Sequence, residues 1–371
     1  MLSTRRMPRR SCVNQYRIAV IPGDGIGQEV IPEGLRVLSR AGEVTDSFRL
    51  RPTLLPWSCQ WYLKTGRMMP PDGLSLLADH DAIYLGAVGY PTVPDHVSLW
   101  GLLLPIRQTF DEYVNLRPIE ILEGIASPLR DHGAGDVNIL CIRENTEGEY
   151  AGIGGRFHAG SPEEVALQTA VFTRRGIERV ARYAFERARE RGRRVASATK
   201  SNALQYSAVL WDEVVAAVAA DYPDVDLTSY HVDALAARFV TAPDSLDVVV
   251  ASNLFGDILT DLGGALQGSL GLPASANLNP ERRHPSMFEP VHGSAPDLAG
   301  QGVANPMAAV WAGALMLAHL GEQAAADLVL AALRSVARSG PRTRDLGGAT
   351  STTEVGSAIM AAVGRPTRPT D

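Results

Sequence analysis

The chain has 371 residues, 45% of them hydrophobic and 20% charged, which is enough for a large buried core divided between two domains. A formal net charge of −6 argues against nucleic-acid binding through bulk charge, yet an anionic small molecule needs only a local cluster of arginines. No apolar run approaches the roughly 20 residues that span a bilayer, and Met1 to Arg10 is basic with no apolar stretch behind it, so a cytoplasmic protein without membrane attachment is expected. Cys12, Cys59 and Cys141 are odd in number and lack C-x-x-C spacing, which fits a reducing compartment with neither a disulfide frame nor a thiolate zinc site.

Along the chain, Arg17 to Pro22 reads as an apolar strand entering Gly23-Asp24-Gly25-Ile26-Gly27, and Glu29 to Arg40 then has helical spacing. Further short apolar runs at Ala82 to Ala87, Val137 to Ile142, Val195 to Ala198 and Leu246 to Ala251 predict strands. Helical patterns cover Phe172 to Arg191, Ala208 to Ala220, Phe255 to Gly268 and Met307 to His319. Strands alternating with helices indicate an α/β protein with a substantial sheet. Tyr150 to Gly160, rich in glycine and without apolar period, reads as an exposed loop or an arm reaching to a second subunit. Gly364 to Asp371 reads as a loose end.

The glycine turn gives G-x-G-x-G rather than G-x-G-x-x-G, so it is a weak dinucleotide fingerprint, and a tight turn approached closely by other backbone explains it equally well. Only two of the 35 basic residues are lysines, Lys64 and Lys200. Lysine can give up its proton where arginine does not, and Lys200 follows the small-residue run Val195 to Thr199, which makes it a candidate base at a strand end. Lys64 reads as a surface helix end. Asp257 and Asp261 lie four apart and share a helix face, where like charges repel unless a cation sits between them. Oxygen ligands without a neighbouring His or Cys suit Mg²⁺ or Mn²⁺, and Asp233 is a candidate third carboxylate. Arg107, Arg117 and Arg143, read as lying near strand ends, offer bidentate donors for a dicarboxylic acid. Tyr150 is a candidate general acid, and the loop His292-Gly293-Ser294-Ala295-Pro296-Asp297 carries an acid able to hold both ribose hydroxyls and repel a 2′-phosphate.

Together these segments resemble the β-decarboxylating hydroxyacid dehydrogenases, the family that includes isocitrate, isopropylmalate and tartrate/D-malate dehydrogenases. The resemblance runs from Tyr16 to about Ser357. It rests on Ile21 to Gly27, Asn115-Leu116-Arg117-Pro118, the Asp257/Asp261 pair within Asn253 to Asp261, and His292 to Asp297. Val88 to Gly101, Arg143 to Tyr150, Val171 to Gly176 and Ser197 to Asn202 are similar to the tartrate/D-malate branch, whereas Ala203 to Trp211 and Ala234 to Ala237 depart from it. Trp100 stands where isopropylmalate enzymes usually carry a glutamate that shapes an alkyl pocket, which favours a short polar substrate over 3-isopropylmalate.

The resemblance implies a two-domain fold with a large mixed sheet flanked by helices, distinct from a Rossmann fold. It places a cofactor-binding domain at 1–112 and 268–371 and a smaller domain with a dimer interface and arm at 113–267. It implies NAD and Mg²⁺ or Mn²⁺ as cofactors, with Asp297 favouring NAD over NADP. Substrate carboxylates would fall to Arg107, Arg117 and Arg143, proton transfer to Tyr150 as acid and Lys200 as base, and the metal to Asp233, Asp257 and Asp261. Cofactor contacts would come from Asn202, near the nicotinamide, from His292, Gly293, Ser294, Ala295 and Asp297, and from Asn305, near the adenine. Lys200 and Asp233 would reach into the neighbouring site of a homodimer. A catalytically silent regulatory subunit, the non-enzyme alternative, would not need these positions filled.

Overall fold

The computed structural model describes residues 13–365; Cys12, the basic segment Met1 to Arg10 and the tail 366–371 lie outside the described residues. The described residues form twelve strands: β1 (Asn14–Gly23), β2 (Phe48–Leu54), β3 (Ala82–Ala87), β4 (Val114–Glu120), β5 (Asn138–Glu144), β6 (Gly148–Phe157), β7 (Val165–Val171), β8 (Arg194–Thr199), β9 (Asp226–His231), β10 (Val248–Ala251), β11 (Ala274–Leu278) and β12 (Ser286–Pro290). The α-helices are α1 (Gly27–Thr45), α2 (Cys59–Thr65), α3 (Gly73–Ala78), α4 (Asp95–Ser98), α5 (Leu104–Thr109), α6 (Arg174–Arg189), α7 (Ser207–Ala219), α8 (Val232–Thr241), α9 (Asn253–Leu266), α10 (Met307–Leu320), α11 (Gln323–Ser339) and α12 (Thr352–Ala362).

Ten strands form one sheet in the order β2-β1-β3-β12-β11-β4-β5-β10-β8-β9. Its centre is antiparallel, through β12–β11, β11–β4 and β4–β5, and both wings are parallel. That mixture separates it from an all-parallel doubly wound sheet. The wings need crossover connections, and helices provide them, so strands such as Ala82–Ala87 are buried on both faces and read as unbroken apolar runs. α10 is apolar nearly all round because it lies beneath other helices, packing against α1, α11 and β12. α6 shows the opposite pattern: Ile177, Val180, Ala181, Ala184, Phe185 and Ala188 form its buried stripe, and arginines fill the exposed face.

β6 and β7 form a separate two-stranded arm. Ile153, Phe157, Val165 and Leu167 on it are exposed. Lys64 is exposed in the last turn of α2, as its sequence suggests. Cys59 and Cys141 are free and buried, and burial pushes both thiols up to about 12. Among the described residues, no helix is long and apolar enough to cross a membrane.

Candidate active site

β5 and β10 are parallel neighbours with Arg143 opposite Ala251, so the end of β5 and the start of α9 lie at the same edge of the sheet. α9 comes close to Arg143 because residue 256 is glycine: a Cβ there would lie 2.6 Å from the Arg143 Cβ. Asn253 in the first turn of α9 accepts hydrogen bonds on Oδ1 from Arg143 Nε (3.0 Å) and Nη2 (2.7 Å), which fixes the plane of the guanidinium. Asn253 is held in turn by donating to the Glu147 carbonyl at 3.0 Å. The remaining Arg143 nitrogen, Nη1, pairs with Asp257.

Arg117 donates to Thr260 Oγ1 at 2.6 Å and lies 3.6 Å from Asp257 and 3.5 Å from Asp261. Arg107 donates to Glu289 Oε1 at 3.0 Å. The Tyr150 hydroxyl donates to Asp257 Oδ2 at 3.3 Å, with the Arg143 guanidinium 5.6 Å from its ring centre. Two expected placements are corrected: Arg107 lies on α5 and Arg117 in the middle of β4, neither of them at a strand end. The helical residues Asp95 to Thr109 include a π-helical turn at Leu99–Leu103, a distortion common at functional sites, which carries Trp100 against Gly152 of the arm.

Three guanidiniums are buried together, each beside a carboxylate: Arg107 with Glu289, Arg117 with Asp257 and Asp261, and Arg143 with Asp257. Burial first, and repulsion from Arg117 second, bring Arg143 down to about 10, so it still carries its charge at neutral pH. Burial and then the Asp257 charge raise the Tyr150 hydroxyl, which therefore keeps its proton. Burial also raises Asp261, against the pull of Arg117.

Lys200 follows β8 and donates from Nζ to Asp233 Oδ1 at 2.7 Å, a bond that lowers the Asp233 carboxyl. Among the described residues, no three His, Cys, Asp or Glu side chains gather in a way that could hold a metal. Within one chain Asp233 therefore does not join Asp257 and Asp261.

A cavity of about 880 Å³ is lined by Thr260, Asp261, Ser269, His292, Gly293, Ala295, Asn305 and Asp345, among others. Gly293 faces open space where a Cβ would project, and His292 Nε2 is buried without a partner. Burial lowers the His292 imidazole below its usual range. The glycine turn braces this loop: Ile26 N donates to Ser294 O at 2.9 Å, and a Cβ on Gly25 would meet that carbonyl at 1.9 Å. The turn therefore acts through close backbone approach. Of the expected cofactor residues, His292, Gly293, Ala295 and Asn305 line the cavity. Ser294 instead faces the turn, and Asn202 and Asp297 are exposed residues outside the lining.

The residues that orient the arginines escaped the sequence reading. Glu289 accepts from Arg107 and also from Asn277 Nδ2 at 2.8 Å, while Asn277 Oδ1 accepts from Asn115 (2.9 Å) and Asn145 (3.0 Å). The available signal was a polar residue inside a short apolar strand, as at Asn277 in Ala274–Leu278. Glu112 is fully buried with no partner for either carboxylate oxygen, and burial pushes its carboxyl well above the usual range.

Known proteins share this architecture over nearly its whole length. The chain is 53% identical over 351 residues to a D-malate dehydrogenase [decarboxylating] of Escherichia coli (strain K12), covering 92% of this chain and 97% of that enzyme. It is 50% identical over 361 residues to a tartrate dehydrogenase/decarboxylase of Pseudomonas putida, covering 95% and 99%. The crystal structure of isocitrate dehydrogenase from Methylococcus capsulatus superposes with a TM-score of 0.85 at 35% identity, covering 94% of this chain and all of that one. These likenesses define an oxidoreductase acting on a CH–OH group. The chain belongs to the isocitrate/isopropylmalate dehydrogenase family, whose sequence profile matches residues 17–359.

Proposed function

We propose that the protein oxidises a short 2-hydroxy dicarboxylic acid, D-malate or tartrate, with NAD and Mg²⁺ or Mn²⁺, and releases CO₂ from the β position. The observation that carries this reading is the buried pair Arg117 and Arg143 beside Asp257 and Asp261, with Arg107 buried nearby on Glu289. The pair fits a hard divalent cation because its donors are carboxylate oxygens four residues apart on one helix, and the Asp261 side chain is open to solvent. The cavity fits a dinucleotide in size, in the space left at Gly293 and in the orphaned His292 nitrogen. When bound, the cation would acidify the 2-hydroxyl and the dinucleotide would accept a hydride from the same carbon.

The arginines hold the two substrate carboxylates, with Asn253 fixing the plane of Arg143 for bidentate contact. Lys200 takes the hydroxyl proton. Once the β-carboxylate leaves as CO₂, Tyr150 returns a proton to the carbon it left. D-malate and NAD⁺ thus yield pyruvate, CO₂ and NADH. Lys200 and Asp233 do this work in the site of a second copy, a reading supported by their separation from Asp257 and Asp261 within one chain. The strand order supports a division between β11 and β4, with 113–267 as the smaller domain. Trp100 packs against Gly152 of the arm, and its place where isopropylmalate enzymes usually carry a glutamate favours a short polar acid over a branched one. NADH formation from D-malate, L-tartrate, meso-tartrate and 3-isopropylmalate with Mn²⁺ tests the proposal. Turnover of 3-isopropylmalate alone would overturn the choice of substrate, and silence with every acid would overturn the enzyme reading.

A further inference from the structure

Glu112 stands behind the arginines without a role in the proposed chemistry. It lies between the end of α5 and the start of β4, is 0% exposed, and neither of its carboxyl oxygens has a hydrogen-bond partner. Its backbone is fixed on both sides: the N–H donates to Arg107 O at 2.9 Å, and the carbonyl accepts from Asn145 Nδ2 at 2.9 Å. Asn145 Nδ2 also donates to Asn277 Oδ1, and Asn277 Nδ2 donates to Glu289 Oε1, the oxygen that receives Arg107 Nη2. Glu112 is thus part of the network that aims Arg107, with its own side chain left unbonded.

A buried carboxylate without a donor costs far more than a buried carboxylic acid. Burial dominates here, Arg107 opposes it and Glu289 adds to it, so the carboxyl keeps its proton well above the usual range. The neighbouring acceptors favour the same state, because Asn115 Oδ1 and Asn145 Oδ1 are buried without a donor. Other charged groups around this segment are already engaged. Asp111 binds Arg179 at 2.7 and 2.9 Å, Tyr113 donates to Glu281 at 2.9 Å, and Glu144 on β5 accepts from Thr146 N and Glu147 N. Arg117 on β4 and Arg143 on β5 face Asp257. The charges that act on Glu112 are therefore Arg107 on α5 and Glu289 on β12.

Arg107 and Glu289 balance as one positive and one negative charge 3.0 Å apart. With Glu112 neutral, the guanidinium shares itself between one protein carboxylate and the substrate. An ionised Glu112 would add a second carboxylate, and Arg107 Nε, buried without a partner, is the donor it would claim. We propose that Glu112 is a positioning residue for Arg107 that works only as the uncharged acid, and that loss of its proton loosens the hold on the hydroxy acid and sets an alkaline limit to substrate binding. This rests on the reading of Arg107 as a ligand of a substrate carboxylate given above.

The test compares the wild-type protein with Glu112→Gln, a neutral isostere, and with Glu112→Leu, which serves if the first does not fold. KM and kcat for D-malate are measured at saturating NAD⁺ and Mn²⁺ from neutral pH upward, over the range in which each protein stays folded. Infrared difference spectra of wild type against variant report the carbonyl stretch of a protonated, buried carboxyl. Wild type should show that band at neutral pH and lose it as KM rises, by roughly tenfold more than in either variant, the scale of one added charge beside a buried ion pair. Tyr150 and Lys200 titrate in all three proteins, so the readout is the difference between the pH profiles. A merely structural role would shift the level of KM or the stability without changing the course of KM with pH. Parallel profiles overturn the proposal, as does absence of the band at neutral pH. An unchanged KM in a folded Arg107→Gln would instead remove Arg107 from substrate binding and overturn the underlying reading.

Discussion

Arg143→Lys isolates geometry from charge at the centre of the site. The lysine ammonium can replace the Nη1 contact with Asp257, but it cannot make that contact and also reach Asn253 Oδ1, which takes 3.0 and 2.7 Å bonds from Nε and Nη2. Asn253 Oδ1 is then stranded in a buried position, since Asn253 is 1% exposed. Each hydrogen bond to a charged group contributes about 1.5–3 kcal/mol, and the two share one acceptor, so the variant should lose about 2–4 kcal/mol of transition-state stabilisation. That corresponds to a fall in kcat/KM of at least roughly 30-fold. The site's net charge is unchanged, so long-range attraction of the substrate is not what changes. The assay is NADH formation from D-malate over a range of concentrations, with thermal unfolding to show that the variant folds. A folded variant within about threefold of wild-type kcat/KM, less than 1 kcal/mol, would refute the planar-clamp argument.

Lys200→Arg should keep the ion pair to Asp233 seen at 2.7 Å yet lose oxidation by roughly 100-fold or more, because arginine does not act as a base at neutral pH; wild-type turnover would remove Lys200 from the mechanism. Gly25→Ala should cost stability and raise KM for NAD⁺, since φ at residue 25 is +55° and the new Cβ would strike Ser294 O; unaltered KM in a folded variant would sever the glycine turn from the cofactor loop. His319, packed on Phe288 with ring centres 5.6 Å apart, is held by burial, and secondarily by Arg282, at about 4 against an ordinary 6.5. Its folded value is depressed, so the unfolded chain takes the proton first as pH falls. Stability is therefore complete above pH 6.5 and drains toward pH 4, by on the order of 2 kcal/mol after discounting for the ring's partial exposure. His319→Phe should flatten that part of the profile of thermal unfolding against pH, and an unchanged slope would locate the acid sensitivity elsewhere.

The inner strands β1, β3, β5, β8 and β10 were legible because burial on both faces writes unbroken apolar runs, and β3 matches its predicted span of Ala82 to Ala87, whereas the largely exposed edge strands β2 and β9 were not. β11 and β12 were not legible, because Ser275, Asn277 and Glu289 interrupt their apolar pattern in order to orient the arginines. The arm's strands were missed for a related reason: β6 and β7 form a two-stranded sheet of their own among the described residues, and their largely exposed faces impose no alternating pattern. Asp257 and Asp261 were readable from helical spacing, and Lys200 from the rarity of lysine. Sequence spacing carried no sign of Ser269 and Asp345, 76 residues apart and joined only by the fold.

The most direct test of the account is product stoichiometry with D-malate, NAD⁺ and Mn²⁺. The account predicts one NADH, one CO₂ and one pyruvate for each D-malate consumed. NADH formed without CO₂, with oxaloacetate accumulating, would contradict the assigned decarboxylation, and no NADH from D-malate or either tartrate would contradict the assigned function.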